Sequence, residues 1–534
     1  VRKVLSAILE KFKLDLFQVP DFWIDPQRGY TALMASVSAC EKHDQQLGID
    51  LLKHLNAYFS DHKQDLSALI QIKNTALGAS VFMIACRQGL TEVVSALLQT
   101  AKNVLPTKKA FQDFLTQQDN AGFSPLNTSC TASHLPVVQK LLEIAERELS
   151  PDEFKAFLTN ENNDGFSPLN ASCKAEEPPI VQALLDVAER KLSSNAFQNF
   201  LTHKDNFGFS PLNSSCTAGH LPVVRALLKV AKRKLSSNAF QNFLTHKNRA
   251  GFSSLNASCQ EGYLPVVRVL LKVTKKKFPI NVFRDFLIHK DNSGFSSFNT
   301  SCKKGHLKIV KKLLKVAKRE LSPDAFFAFF THKNNFGFSS LNTSCKEGHL
   351  KIVKKLLKVA KRELSPDAFF AFLIDENSAG FSPLNTSCSV GHSKIVKCLV
   401  RAWRELDEHD EDFNKQAFIK FIEQKNRHGF TPLNAAAKAA SELACSVDNK
   451  RKQNYTDILA YLLSLGANPD EPNKRGYTAR QNFTTYKWPR EDEVGSTNEP
   501  QKYLSSAPRH GNALFFRPVP PAKPFYYSVH HYRP

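Results

Sequence analysis

No apolar run in this 534-residue chain approaches the roughly 18 residues that a bilayer-spanning helix requires. The opening segment, VRKVLSAILEKFKLDLF, carries charge throughout and so lacks the uncharged stretch of a secretory signal. There is no GxxxxGK(S/T) loop to cradle phosphate, no GxSxG elbow, no HExxH helix and no Cys/His dyad outside repeated positions. No CxxC pair offers zinc its usual spacing, and the scattered carboxylates form no recognisable catalytic pair. These absences argue against an enzyme, and neither a cofactor, a metal nor a small-molecule substrate is expected. Methionine occurs only twice and tryptophan three times.

Phenylalanine, by contrast, occurs 41 times, and a hydrophobic content of 42 % is ample for a buried core. The net charge of +22 favours acidic partners: an acidic protein, anionic lipid or nucleic acid. A lysine-rich solvated face is the plainer alternative. The chain opens on Val1 rather than Met, which leaves room for an upstream domain.

The dominant feature is a repeat of 43 residues, marked by Gly122, Gly165, Gly208, Gly251, Gly294, Gly337 and Gly380. Cys130, Cys173, Cys216, Cys259, Cys302, Cys345 and Cys388 keep the same step. A fixed period of this size specifies a solenoid whose units bury their apolar faces on one another. Equivalent cysteines on stacked helices lie about 8–10 Å apart, too far for a disulfide, which needs Cα atoms closer than about 7 Å. Residues 308–329 and 351–372 are identical over 22 positions, a unit copied with little divergence.

Residues 205–247 serve as the type unit. Asp205 to Gly208 is a turn, Ser210-Pro211 opens a short helix of small residues, and Gly219 ends it. A second helix follows from Leu221, with Val223, Val224, Leu227, Leu228 and Ala231 as its apolar stripe and basic residues opposite. Ser236 to Asn238 caps a third helix, in which Phe240 and Phe243 share one face. Equivalent phenylalanine pairs run from Phe111/Phe114 to Phe369/Phe372 and read as an extra core layer.

The run GFSPLNxSCxxGHLxVVxxLL resembles the ankyrin repeat. Gly208, Ser210, Pro211, Leu212, Gly219, His220, Val223, Val224, Leu227 and Leu228 fall on matching positions, and GFTPLNAAA at 429–437 matches more closely. The resemblance covers roughly residues 25–485 and implies an all-α fold with short turn hairpins. It implies an ankyrin-like solenoid of about ten repeats, each with an extra short helix, since the family period of 33 is here lengthened by ten. Asn replaces the family's His after Pro-Leu (Asn127, Asn170, Asn213), where an amide can maintain a hydrogen-bond ladder. Proline becomes serine at Ser254, Ser297 and Ser340. The chain divides into a cap helix or remnant of an upstream region at 1–27, the array at 28–487 with regular units over 119–390, and a Pro- and aromatic-rich tail at 488–534, expected to be disordered.

The resemblance implies a cytoplasmic, monomeric protein-binding scaffold, working in a host cytosol if the chain is a bacterial effector. Residues that vary on the constant frame are the natural place for specificity: the turn tips Asn206, Phe207, Arg249, Asn292, Asn335 and Phe336. Two histidine series (His203, His246, His289, His332 and His220, His306, His349, His392) supply one ligand per unit, which suits packing better than metal. The sequons from Asn127 to Asn385 lie inside the packed first helix, where no glycan fits.

Charge marks a second candidate site. Within the second helix, residues 139–148 sum to −1, whereas 225–234 and 268–277 reach +5 and 311–320 and 354–363 reach +4. This basic band over 225–363, with Lys308, Lys311, Lys312, Lys315, Lys351, Lys354, Lys355 and Lys358 on the face opposite the apolar stripe, allows an anion-tethered adaptor bound to phospholipid or nucleic acid. A further alternative is the targeting part of a larger enzyme truncated upstream. In the tail, Pro518, Pro521 and Lys523 fit a polyproline recognition pattern.

Overall fold

The computed structural model describes residues 24–25, 30–42, 45–61, 66–405, 411–443 and 448–482. The N-terminal segment apart from 24–25, the tail with Pro518, Pro521 and Lys523, and Cys445 lie outside the described residues. The fold is an ankyrin-like α-solenoid. Strand pairing among the described residues is confined to a two-residue ladder, Ile24–Asp25 with Tyr30–Thr31, and isolated bridges at turns such as Lys290 with Ser296.

Each unit begins with a turn built by local chemistry. In the type unit the Asp205 carboxylate accepts from the backbone N–H of Phe207 (2.9 Å) and of Phe209 (2.8 Å), folding the chain back on itself. Asn162, Asn248 and Asn334 take the same role, so an acceptor oxygen rather than a charge is what the turn needs. At the tip glycine φ is positive. Gly251, at 82°, also faces the next unit so closely that a Cβ would lie 2.5 Å from the Asn292 backbone nitrogen.

Ser210 then caps the first helix, Pro211–Ala218, its hydroxyl accepting from Asn213 N–H at 3.3 Å, with Pro211 preset for the first helical position. Every residue from Pro211 to Cys216 is buried. The second helix, Leu221–Lys234, buries its predicted stripe and leaves its cations in solvent. Ser236 caps the third, Ser237–Thr245, through Ala239 N–H at 3.2 Å.

First helices of neighbouring units pack on one another more tightly than second helices do, although they are about half as long. Small side chains (Ser214, Ser215, Cys216) permit that approach. The stack therefore curves, with first helices on its inner face and second helices splayed outside. The third helix fills the splay: Ser194–Thr202 contacts the second helix of its own unit and that of the next. Its phenylalanines supply the filling, since all fourteen members of the seven pairs are buried. The expected extra layer is thus a wedge between units.

Among the described residues ten units carry a first and a second helix, but the third helix occurs in nine. The tenth, Pro432–Glu442 and Asn449–Ser464, runs through Gly466 at φ 90° straight into the final turn. It has no phenylalanine pair to anchor a wedge, and no further second helix follows for a wedge to meet among the described residues. The expectation of an extra helix in every unit is corrected there.

The described cysteines from Cys86 to Cys398 are free thiols. Burial pushes Cys130, Cys173, Cys216, Cys259, Cys302 and Cys345 up to about 12, so they stay protonated and act as small apolar fillers. Asn127 and its six equivalents in the sequons are completely buried.

Candidate functional site

Turn tips join into a continuous rail. The backbone N–H two residues before each tip glycine donates to a carbonyl of the preceding tip: Asn206 to Asp164 (2.9 Å), Arg249 to Phe207 (3.0 Å), Asn335 to Ser293 (3.0 Å). Asparagine side chains reinforce it, Asn206 donating to the Asn163 carbonyl at 2.8 Å, Asn292 to that of Arg249 at 2.8 Å and Asn335 to that of Asn292 at 3.0 Å. Of the six expected tip residues, these three amides hold the rail. Phe207 and Phe336, 50 % and 58 % exposed, and the exposed Arg249 face solvent. Leu77 and Tyr477 are also exposed beside their tip glycines, a place the sequence marks by the glycine alone.

Sequence reasoning missed a second aromatic series on the inner face. In eight units the phenylalanine after the tip glycine (Phe123, Phe166, Phe209, Phe252, Phe295, Phe338, Phe381, Phe430) is half-buried, between rail and first helix. In four units a lysine from the end of the first helix covers the ring: Lys174 over Phe166 and Lys303 over Phe295 at 4.7 Å, Lys346 over Phe338 at 4.9 Å, Lys438 over Phe430 at 5.3 Å. Each such contact is worth about 0.5–1 kcal/mol at an exposed site. Elsewhere Thr131, Thr217, Gln260 or Ser389 stands in the lysine's place. The signal was present in the sequence as the invariant Phe of GFS, read there only as part of the frame.

Both histidine series tie a unit to the one before it, except at His289, whose Nδ1 is buried without a hydrogen-bond partner. Nε2 of His203, His246 and His332 lies 3.0–3.1 Å from the carbonyls of Gly165, Gly208 and Gly294. That of His306 meets Gln260 O at 2.9 Å and that of His349 meets Lys303 O at 2.8 Å. A carbonyl only accepts, so Nε2 carries the proton. The ring of His306 packs against Gly262, where a Cβ would stand 2.6 Å from it. No group of three His, Cys, Asp or Glu with metal-binding geometry occurs among the described residues.

Burial holds His134, His246, His332 and His392 below their usual range, and burial with the Lys247 charge brings His289 down to about 4. Unfolded histidines protonate near about 6.5, while these resist until lower pH. Their contribution to stability is therefore present above about pH 6.5 and is lost as pH falls toward about 4. Asp205, Asp291 and Asp375, raised by burial, oppose this only near the acid end. The urea midpoint should fall between about pH 7 and pH 5, less so in a His246→Gln/His289→Gln variant. A flat midpoint over that interval would contradict the assignment.

The expected basic band lies on the outer face. Lys308, Lys311, Lys315, Lys351, Lys354 and Lys358 are exposed, and Lys312 and Lys355 are partly so. Lys312 and Lys355 titrate low, first through burial and then through like charge, from Arg319 and Arg268 on the one and from Arg362 and Lys311 on the other. At the far end of the same helices the cations are neutralised, Lys318 by Glu363 at 2.5 Å and Lys275 by Glu320 at 2.6 Å.

No protein-family profile matches the chain, and no curated protein matches its sequence. Among solved structures it is similar to the ankyrin repeat domain of Bcl-3, described as a unique member of the IkappaB protein family. That overlap has 18 % identity and a TM-score of 0.35, and covers 49 % of this chain and 93 % of the other. No helix among the described residues is long and apolar enough to cross a membrane.

Proposed function

We propose that the protein is a non-catalytic interaction scaffold that holds a protein partner along its inner face. The observation that supports this reading is the pairing of a rigid rail with variable groups projecting from it. Phe207, Arg249 and Phe336 stand on tips fixed by one backbone hydrogen bond per unit, beside a stripe of half-buried phenylalanines that lysine covers in some units and not in others. A preformed aromatic surface of this kind binds as a rigid body and loses little entropy on binding. The recurring Cys, His, Asn and buried Phe residues are engaged in packing between units, which supports a role without chemistry.

The anion-tethered alternative uses the opposite face and stands on a separate observation: among the described residues no ion pair engages Lys308, Lys311, Lys312, Lys315, Lys351, Lys354, Lys355 or Lys358, while the carboxylates nearby serve other cations.

Affinity capture with the full chain tests the scaffold reading. Proteins retained by the wild type should bind about tenfold or more weakly to a Phe207→Ser/Phe336→Ser variant, because buried aromatic anchors dominate such interfaces. Their retention should be unchanged by Lys311→Gln/Lys354→Gln on the outer face. Equal capture by the wild type and the Phe207/Phe336 variant would remove the inner face from consideration.

A further inference from the structure

On the second helices of five successive units, two positions four residues apart carry a cation every time. They are Arg225 and Lys229, Arg268 and Lys272, Lys311 and Lys315, Lys354 and Lys358, and Lys397 and Arg401, and all ten are exposed. Residues four apart share a helix face about 5–6 Å from one another, and packed helices lie about 8–10 Å apart. The cations therefore form two parallel rows, each five units long. In the two preceding units the same positions hold Gln139 with Glu143 and Gln182 with Asp186, so the rows are not imposed by the repeat.

Among the described residues none of the ten has a carboxylate partner. The ion-paired acidic groups sit at the C-terminal ends of second helices, where Glu189 of the preceding unit serves Arg233 and Lys234, Glu320 serves Lys275 and Arg319, and Glu363 serves Lys318 and Arg362. Lys312 and Lys355 meet like charges across the unit boundary, a repulsion that packing does not require. Between Leu307–Glu320 and Leu350–Glu363 the splay leaves a groove of about 420 Å³, floored by Leu314, Phe326 and Val359 and rimmed by Lys311, Lys315 and Lys355.

We propose that these ten cations dock the array onto an anionic phospholipid surface. The charge is spread in two dimensions and no single pocket gathers it, as suits a lattice of headgroups, to which each Lys or Arg contributes separately. An acidic helix would fill one groove and leave the remaining pairs unmatched. Aromatic rings near the rows are unavailable to stack a base, with Phe326 in the groove floor and Tyr461 under Lys397 at 5.5 Å, which disfavours a single-stranded nucleic acid. The docking deepens the outer-face reading and leaves the inner face open to a protein.

Vesicle flotation with the full chain tests it. The wild type should float with phosphatidylcholine vesicles containing about 30 mol % phosphatidylserine, should not float with phosphatidylcholine alone, and should be released by salt. Lys311→Glu/Lys315→Glu/Lys354→Glu/Lys358→Glu should weaken binding at least about a hundredfold. The matching Lys→Gln variant should show a smaller loss in the same direction, with thermal melts confirming that both remain folded. Lys303→Glu/Lys346→Glu, on the inner face, should float as the wild type does, which separates failure of this proposal from failure of the scaffold reading. Absence of wild-type flotation on anionic vesicles would overturn the proposal. So would unchanged flotation of the reversal variant, or stripping of the protein from vesicles by an equal charge concentration of poly-glutamate or an RNA oligonucleotide.

Discussion

Phe240→Ala is expected to destabilise the array by about 3–5 kcal/mol, the range for deleting a ring from a core that cannot collapse. Phe240 is fully buried in its wedge helix, with ring centroids 6.3 Å from Phe243 and 5.8 Å from Phe278. Phe278 belongs to the following unit, so the ring spans a junction. Relaxation into the cavity would need two units to move together while the rail, the histidine ties and the first helices hold their spacing. A linear array couples only neighbours, so a weakened junction in its middle should also separate the two halves. Urea unfolding of Phe240→Ala should start at lower denaturant and split into two steps. One transition with an unchanged midpoint would show that the wedge is peripheral.

Asn256→Ala should cost about 3 kcal/mol or more through hydrogen bonding rather than volume. The Asn256 amide is completely buried. Its oxygen accepts from Ser253 Oγ at 2.7 Å and from Ser297 Oγ at 3.0 Å, and its nitrogen donates to the Phe295 carbonyl at 3.2 Å. Two of those three groups lie in the next unit. Truncation leaves them without water, and each such orphan costs about 1–3 kcal/mol. Asn127 provides the internal comparison. The next unit there has Pro168 in place of serine, and Asn127 Oδ1 has no partner. Asn127→Ala should therefore lose less, and chemical denaturation of the two variants measures the difference. A double-mutant cycle of Asn256→Ala with Ser297→Ala should give a coupling of about 1 kcal/mol. Zero coupling would mean that the serine hydroxyl plays no part.

This network shows how the sequence could be read and where reading stopped. The period, the caps at Ser210 and Ser236 and the apolar stripe of the second helix follow from local rules and appear in the structure where the residues place them. The serine that replaces proline at Ser254 and Ser297 looks like tolerance in the sequence. In space its hydroxyl supplies the Asn213 and Asn256 oxygens with the donor that proline cannot give. That relation spans 41 residues and has no local signature. The candidate surfaces divide similarly. The basic band was legible because its helix has one known buried stripe, which leaves the opposite face determined. Asn206, Asn292 and Asn335 read as free to vary, yet their amides close the rail, because their partners are carbonyls one whole period away. The inner phenylalanine stripe went unread for the converse reason: a residue that never varies along the frame gives no hint that it is half exposed.

The rail has one more consequence. Every junction in the regular array shares one tip hydrogen bond and one buried amide, so no unit is chemically terminal to its neighbours. The copied segments 308–329 and 351–372 show two adjacent modules with interchangeable boundaries. Excising or inserting a whole module would present the flanking ones with surfaces they already fit. The number of modules is therefore a quantity the architecture leaves free, and the protein behaves as a gauge whose span is set by copying rather than by redesign.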